Sequence, residues 1–383
     1  MNLYIIIIFL IIFILINIQK DIFTSIDVKD KYIIGILKNE KTIKFTTLLL
    51  KLANSNIDIV LYDKSSKLLT DLNKNIIQFG IDNENNFLDS YLGLNAYKNN
   101  KLLNLRYISG IYYNYYYLIT NIIHDDKLNQ ISNVHDLKLF YNTYKRHLII
   151  GTEDKNSESF NGLMILLYMY GFKPIDILKK DDNLEYEDNV VFYVNYDIDS
   201  LINKFNNNVC DAVFIINIYN YEKIRSLIDK KDVLFLNITF NNTILNDIYS
   251  YFYNKNISIS NFSEDLDSTY SFETKAVKLL LLSNNKTNNK VVNTLIKTYY
   301  ENNIFLINNL IGNDLDEEHN IFEPIDMIYI NENIKIHKGA YKYMKSLGFI
   351  LDDNVKKQLE LSKYENFKNY WKYDKIGLNK FVL

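Results

Sequence analysis

An α/β architecture with a mainly parallel sheet is predicted by three features of this 383-residue chain. Short β-branched runs alternate with amphipathic stretches, 48% of the residues are hydrophobic, and glycine (11) and proline (2) are scarce. The alternation implies strands joined by helices, and the length provides for two or three cores of ordinary size. The scarcity of glycine argues against phosphate-cradling loops, and neither G-x-G-x-x-G nor G-x-x-x-x-G-K-[ST] occurs. Abundant Ile, Asn, Lys and Tyr read as the mark of an AT-rich genome, so runs of Asn or Tyr carry little functional weight.

In chain order, Tyr32–Leu37 reads as a strand, 46–53 as a helix and 57–61 as the next strand. The pattern returns at 147–151 (strand), 157–170 (helix), 190–194 (strand), 199–205 (helix) and 211–216 (strand). Residues 233–237 and 275–282 read as further strands, the second with Ala276, Lys278 and Leu280 on one face. Val291, Val292, Leu295, Ile296 and Tyr299 recur at helical spacing. Residues 352–383 form a charged, aromatic extension.

Charge and reactive side chains exclude several classes of function. Lys plus Arg (43) and Asp plus Glu (46) leave a net charge of -3 without a long basic block, which disfavours a nucleic-acid partner. The single cysteine, Cys210, lies in an apolar run and reads as a buried structural thiol. The five histidines never pair at metal-ligand spacing, so no metal site is expected. Asp211 reads as ordering a turn at a strand start, and His337 as a structural hydrogen-bonder before a helix. No carboxylate pair, Ser-His-Asp order or Cys-His set emerges, so neither an enzyme nor a cofactor is predicted.

The N-terminus bears on compartment. Residues 3–18 (LYIIIIFLIIFILINI) are a nearly unbroken apolar run ended by Gln19-Lys20-Asp21. At about 1.5 Å per residue a helix of this length spans roughly 24 Å, short of the roughly 30 Å hydrocarbon core. Residues 1–20 therefore read as a secretory signal or signal-anchor, which places the rest outside the cytoplasm and gives it membrane contact through this segment. Five N-x-[ST] sequons, at Asn237, Asn241, Asn256, Asn261 and Asn285, are compatible with export.

Several segments, taken in order, resemble the TAXI-type solute receptors of TRAP transporters. They are Leu105-Arg106-Tyr107-Ile108, Val134-His135-Asp136-Leu137-Lys138, the strand ending at Gly151, and Ser157-Glu158-Ser159 opening a helix. Asp211-Ala212-Val213-Phe214 and Ile336-His337-Lys338-Gly339-Ala340 complete the series. The resemblance covers residues 32–349 and implies a two-lobed type II periplasmic-binding-protein-like fold with a ligand cleft between the lobes. On that pattern residues 21–118 begin lobe I, 119–234 form lobe II, 235–349 return to lobe I, and 350–383 extend beyond it. The implied function is capture of a small polar or carboxylate solute, glutamate-like by resemblance, for a membrane permease.

The resemblance assigns ligand contact to Ser157 and Ser159 at a helix start, where free N–H groups and the helix dipole attract a carboxylate. Asn83, in Gln78–Asn85, offers a hydrogen bond, Lys41 a cation, and Tyr113 an aromatic platform. The chain departs from the family at Asn39-Glu40-Lys41, where a Gly-Gly-Thr stands in the family, at Glu158 in place of Gly, and at Asp82 in place of Ala. Those departures motivate an alternative: a surface or interaction protein, of viral or parasite origin, that keeps the fold and has lost the ligand. Period-two alternation along Tyr112-Tyr113-Asn114-Tyr115-Tyr116-Tyr117 sends successive rings to opposite faces, so most of them are expected to serve packing.

Overall fold

A computed structural model describes residues 31–94, 97–98, 100–121, 132–137, 148–153, 158–170, 191–195, 198–218, 224, 227, 233–239, 252–258, 271–311 and 334–347. The apolar run 3–18, Ser157 and the 350–383 extension lie outside these residues. Among the described residues no helix is long and apolar enough to cross a membrane.

The described elements build one ten-stranded mixed sheet with helices against it. Its strands are β1 (Tyr32–Leu37), β2 (Ile57–Tyr62), β3 (Phe79–Asn83), β4 (Leu105–Thr120), β5 (Leu148–Thr152), β6 (Val191–Asn195), β7 (Ala212–Ile218), β8 (Leu234–Phe235), β9 (Tyr253–Ser258) and β10 (Ser271–Asn284). The helices are α1 (Glu40–Leu52), α2 (Ser65–Asn73), α3 (Glu84–Leu92), α4 (Glu158–Met169), α5 (Ile198–Asn206), α6 (Asn289–Glu301), α7 (Asn303–Ile311) and α8 (Lys338–Ser346). The strand order is β2-β1-β3-β10-β4-β7-β5-β6, with β8 beside β4 and β9 beside β10.

At each flank the strands are parallel, as the βαβ alternation predicts: β2, β1 and β3 on one side, β7, β5 and β6 on the other. Two long strands cross the middle. β10 runs antiparallel to both β3 and β4, and β4 runs antiparallel to β7. The first part of β4 therefore pairs with β10, from Leu105↔Asn284 to Tyr115↔Ala276, and its second part pairs with β7, from Asn114↔Ile218 to Thr120↔Ala212. The 118/119 boundary expected between lobes falls inside β4.

Alternation along β4 divides its side chains cleanly. Tyr112 meets Phe45 of α1 (ring centroids 6.3 Å apart), and Tyr116 lies beside Gly162 of α4, so the 112-114-116 face is covered by α1 and α4. Tyr113, Tyr115 and Tyr117 occupy the opposite face, with Tyr253, Phe235 and Phe272. All of these β4 tyrosines are buried.

Three elements differ from the sequence reading. The helix expected from residue 46 begins at Glu40, because the Asn39 side chain accepts from the backbone N–H groups of Lys41 (3.0 Å) and Thr42 (3.2 Å) and so caps it early. The strand expected at 233–237 is only Leu234–Phe235, since the pairing partner β4 ends at Thr120. Residues 79–85, for which the sequence reading gave no strand or helix, form the fully buried strand β3 and the first turn of α3.

Candidate functional site

The site follows from strand direction. β3 runs the same way as β4, and β7 runs the opposite way, so the C-terminal ends of the two parallel flanks point toward each other along the middle of β4. Asn83, the last residue of β3, pairs with Leu279, whose partner on β4 is Tyr112. Ile218, the last residue of β7, pairs with Asn114, two residues further along. A reversal of strand direction of this kind leaves helix N-termini and loop ends facing one another, which is where ligands bind in open α/β sheets.

Asn114 is central. It projects between the parts of the face covered by α1 and α4, and its amide donates to Asn83 Oδ1 at 3.3 Å. Both residues are largely buried. From the α1 side, the Lys41 ammonium donates to Asn217 Oδ1 near the end of β7, a contact between groups 176 residues apart. Lys41 thus reaches from one flank to the other, as its place in the first turn of α1 permits.

The end of β3 carries its own carboxylates. Asp82 is fully buried; its Oδ1 accepts from Asn83 N and Asn86 Nδ2, each at 2.8 Å, and its Oδ2 accepts from the Ser65 hydroxyl at the start of α2. Burial raises its pKa to about 6, against the lowering effect of these hydrogen bonds. Glu84, buried in the first turn of α3, accepts from the Tyr253 hydroxyl at 2.8 Å. Tyr113 lies on that side of the sheet, not with Asn83 and Asn114. Its ring meets Tyr253 at 5.0 Å, and the ammonium groups of Lys255 (4.0 Å) and the buried Lys278 (5.7 Å) lie over it.

On the other flank Ser159, in the first turn of α4, is buried and doubly engaged. Its hydroxyl donates to the Glu153 carboxylate and accepts from Ile216 N at 3.0 Å, tying the helix to β7. The residue before Glu153 is Thr152, the last of β5 and fully buried.

The remaining reactive groups have structural places. Cys210 is buried, and burial pushes its thiol up to about 11. The Asp211 carboxylate accepts from Ile149 N at 2.9 Å and so fixes the start of β7 against β5. His337 caps α8, its Nδ1 accepting from Gly339 N (3.1 Å) and its Nε2 lying 3.1 Å from Thr287 O; burial lowers its pKa to about 4. Among the described residues no group of three or more His, Cys, Asp and Glu is arranged to hold a metal ion.

The sequence reading named Lys41, Asn83, Ser159 and Tyr113 as ligand contacts; the first three lie at strand or helix ends around the reversal, and Tyr113 lies on the other face of the sheet. It missed Asn114, Thr152, Glu153 and Asn217. Strand ends were the available signal: Thr152 closes a recognisable β-branched run, whereas Asn114 and Asn217 sit inside apolar runs and become visible only through pairing.

No curated protein matches the chain. Among solved structures, XAC2383 from Xanthomonas citri bound to ATP superposes with a TM-score of 0.44 at 8% identity, over 75% of this chain and 92% of that one. MatC from Rhodopseudomonas palustris with bound malate gives 0.43 at 7% identity over 73% and 88%. The periplasmic aliphatic sulphonate binding protein SsuA from Escherichia coli gives 0.36 at 15% identity over 74% of each chain. The sequence model of the NMT1-like family matches residues 51–348, from the last turn of α1 to just beyond α8, and the chain belongs to that family.

Proposed function

We propose that this protein is an extracytoplasmic solute-binding protein, of the kind the TAXI-type receptors exemplify, that holds a small polar or carboxylate solute where the ends of β3 and β7 converge. The observation that carries this reading is the meeting of two parallel flanks head-on at Asn114, with Asn83 and Lys41 from one flank and Asn217 and the start of α4 from the other. On this reading residues 21–118 and 235–349 form one lobe and 119–234 the other. The lobes move about β4 and β10, and solute enters when the Lys41–Asn217 contact opens. The protein then delivers its solute to a membrane permease and performs no chemistry itself. A thermal-shift panel of amino acids and dicarboxylates on the full chain tests it, because a ligand that binds the native state alone raises the melting temperature.

A second reading, a surface protein that keeps the fold without a ligand, has its own observation. Asn39 already occupies two N–H groups at the start of α1, and the Asp82 carboxylate already sits at the starts of α2 and α3. The anion-attracting end of α1 is thereby engaged from within the chain, and a fixed carboxylate lies beside the starts of α2 and α3. A panel with no shift for any solute supports this reading over the first.

A further inference from the structure

Five N-x-[ST] sequons begin within residues 237–285, and the fold treats them unequally. An asparagine-linked glycan is bulky and strongly hydrated, so the folded protein tolerates it where the asparagine amide already faces water. Asn241 and Asn261 lie outside the described residues. The other three can be compared.

Asn285 opens the turn between β10 and α6 and is exposed. Its neighbours there hold the fold together. Asn284 is buried and its amide donates to Leu72 O at 2.7 Å, Thr287 donates its hydroxyl to Gln78 O at 3.1 Å, and Asn288 caps α6 by accepting from Lys290 N. Asn285 is fixed through its backbone, the N–H donating to Asn104 O at 2.8 Å, whereas its side-chain amide makes a long, exposed contact of 3.4 Å with Asn104 Oδ1. The turn is thus rigid and the amide stands in solvent. Ser283 pairs with Phe79, the first residue of β3, and Leu279 with Asn83, the last. Asn285 therefore lies at least about 13 Å along the sheet from the Asn83 end, where a glycan cannot obstruct the convergence of β3 and β7.

Asn256 is placed by alternation. On β9, Tyr253 and Lys255 meet the Tyr113 ring and Ile257 is buried, so Asn254 and Asn256 turn to the other side, where both are exposed. Asn237 contrasts with both. It is half-buried between the buried Leu236 and Ile238, its Oδ1 accepts from Glu273 N at 2.7 Å, and its backbone is bonded to Ser132 O and Val134 N. Its carboxamide is therefore fixed in place as a joint between β10 and residues 132–134.

We propose that Asn285 and Asn256 carry N-linked glycan and that Asn237 does not. The donor is an oligosaccharide on a polyprenyl diphosphate. Asparagine Nδ2 bonds to the anomeric carbon, the bond from that carbon to the diphosphate oxygen breaks, and the lipid diphosphate leaves with the electron pair. The proton lost from the amide passes to a base of the transferase. The assignment rests on the extracytoplasmic part of the reading above, in a eukaryotic secretory pathway, and is independent of any solute.

The test expresses the full chain in insect cells, isolates the vesicle-enclosed and secreted protein, and removes glycan with a peptide N-glycosidase in heavy-oxygen water. Each occupied asparagine then returns as a labelled aspartate in peptide mass spectra. Label is expected at 285 and 256 and absent at 237. Either of the first two left bare overturns its assignment, and label at 237 in folded protein overturns the contrast. A chain that added protease digests outside intact vesicles overturns export and the assignment together; a chain shielded within them with both sites bare overturns the assignment alone. A second measurement uses glycan-free protein from bacteria. Asn285→Gln and Asn256→Gln are expected to leave its melting temperature unchanged, and Asn237→Gln to lower it by loss of the bond to Glu273 N. A drop at Asn285 or Asn256 as large as at Asn237 marks that side chain as structural and overturns its assignment.

Discussion

On the proposed solute-binding reading, single side chains at strand and helix ends carry the site. Lys41 is the clearest case, since its ammonium reaches Asn217 across the reversal of strand direction. Lys41→Met keeps the length and apolar stem but removes the charge. It is expected to weaken a carboxylate-bearing solute at least about tenfold in titration, with a small effect on the melting temperature of the free protein, because a partly exposed charged hydrogen bond adds little to stability. His337 works differently, as a helix cap. Replacing it by Ala is expected to cost about 1 kcal/mol in chemical denaturation, and replacing it by Asn, a good cap, much less. Legibility at this scale was uneven for a physical reason. Ser159 sits at a helix start that the periodicity marks, whereas the helix start beside Lys41 was read at residue 46; the neighbours of Asn114 and Asn217 come from other strands, which no local window contains.

At the level of elements, close approach between helices explains one glycine that a reading of turns alone misplaces. Gly339 lies in the first turn of α8, and a Cβ there would stand 2.3 Å from the Asn289 carbonyl oxygen at the start of α6. The obstacle is backbone, which cannot swing aside. Gly339→Ala is therefore expected to lose about 1–3 kcal/mol of stability, measured by urea denaturation, despite the better helix propensity of Ala. Short strands and amphipathic helices with regular periodicity were readable: Tyr32–Leu37 was recovered with its own limits, and the apolar set of α6 forms its buried face. β3 and β4 were not. β3 carries Asp and Asn among its five buried residues, and β4 is so rich in tyrosine that composition hides its 16-residue length. Both take their strand character from pairing with β10, which the local pattern does not contain.

For the molecule as a whole, two buried titrating groups set opposing responses to acid. Asp82 is raised from its usual 3.8 to about 6, so the folded state binds this proton more tightly and stability is gained as pH falls through that interval. His337 is lowered from 6.5 to about 4, so its neutral form favours the fold and stability is lost as pH falls from about 6.5 toward 4. Each shift of about two units corresponds to roughly 3 kcal/mol. Melting temperatures of Asp82→Asn and His337→Asn, each taken relative to wild type between pH 7 and 4, are expected to slope in opposite directions: the first falling on acidification, the second rising. Parallel slopes would show that one of the two groups is not buried as described. The central position of β10 bears on synthesis. β3 and β4 are not ladder neighbours, because β10 lies between them, and Asn284 closes the sheet onto Leu72 across 212 residues. A nascent chain leaving the ribosome therefore carries β3 and β4 as two open edges until residue 284 has emerged. Those strands are buried in the full fold and suited to pairing with other chains when uncovered, so a fragment ending at residue 270 is expected to aggregate where the full chain stays dispersed.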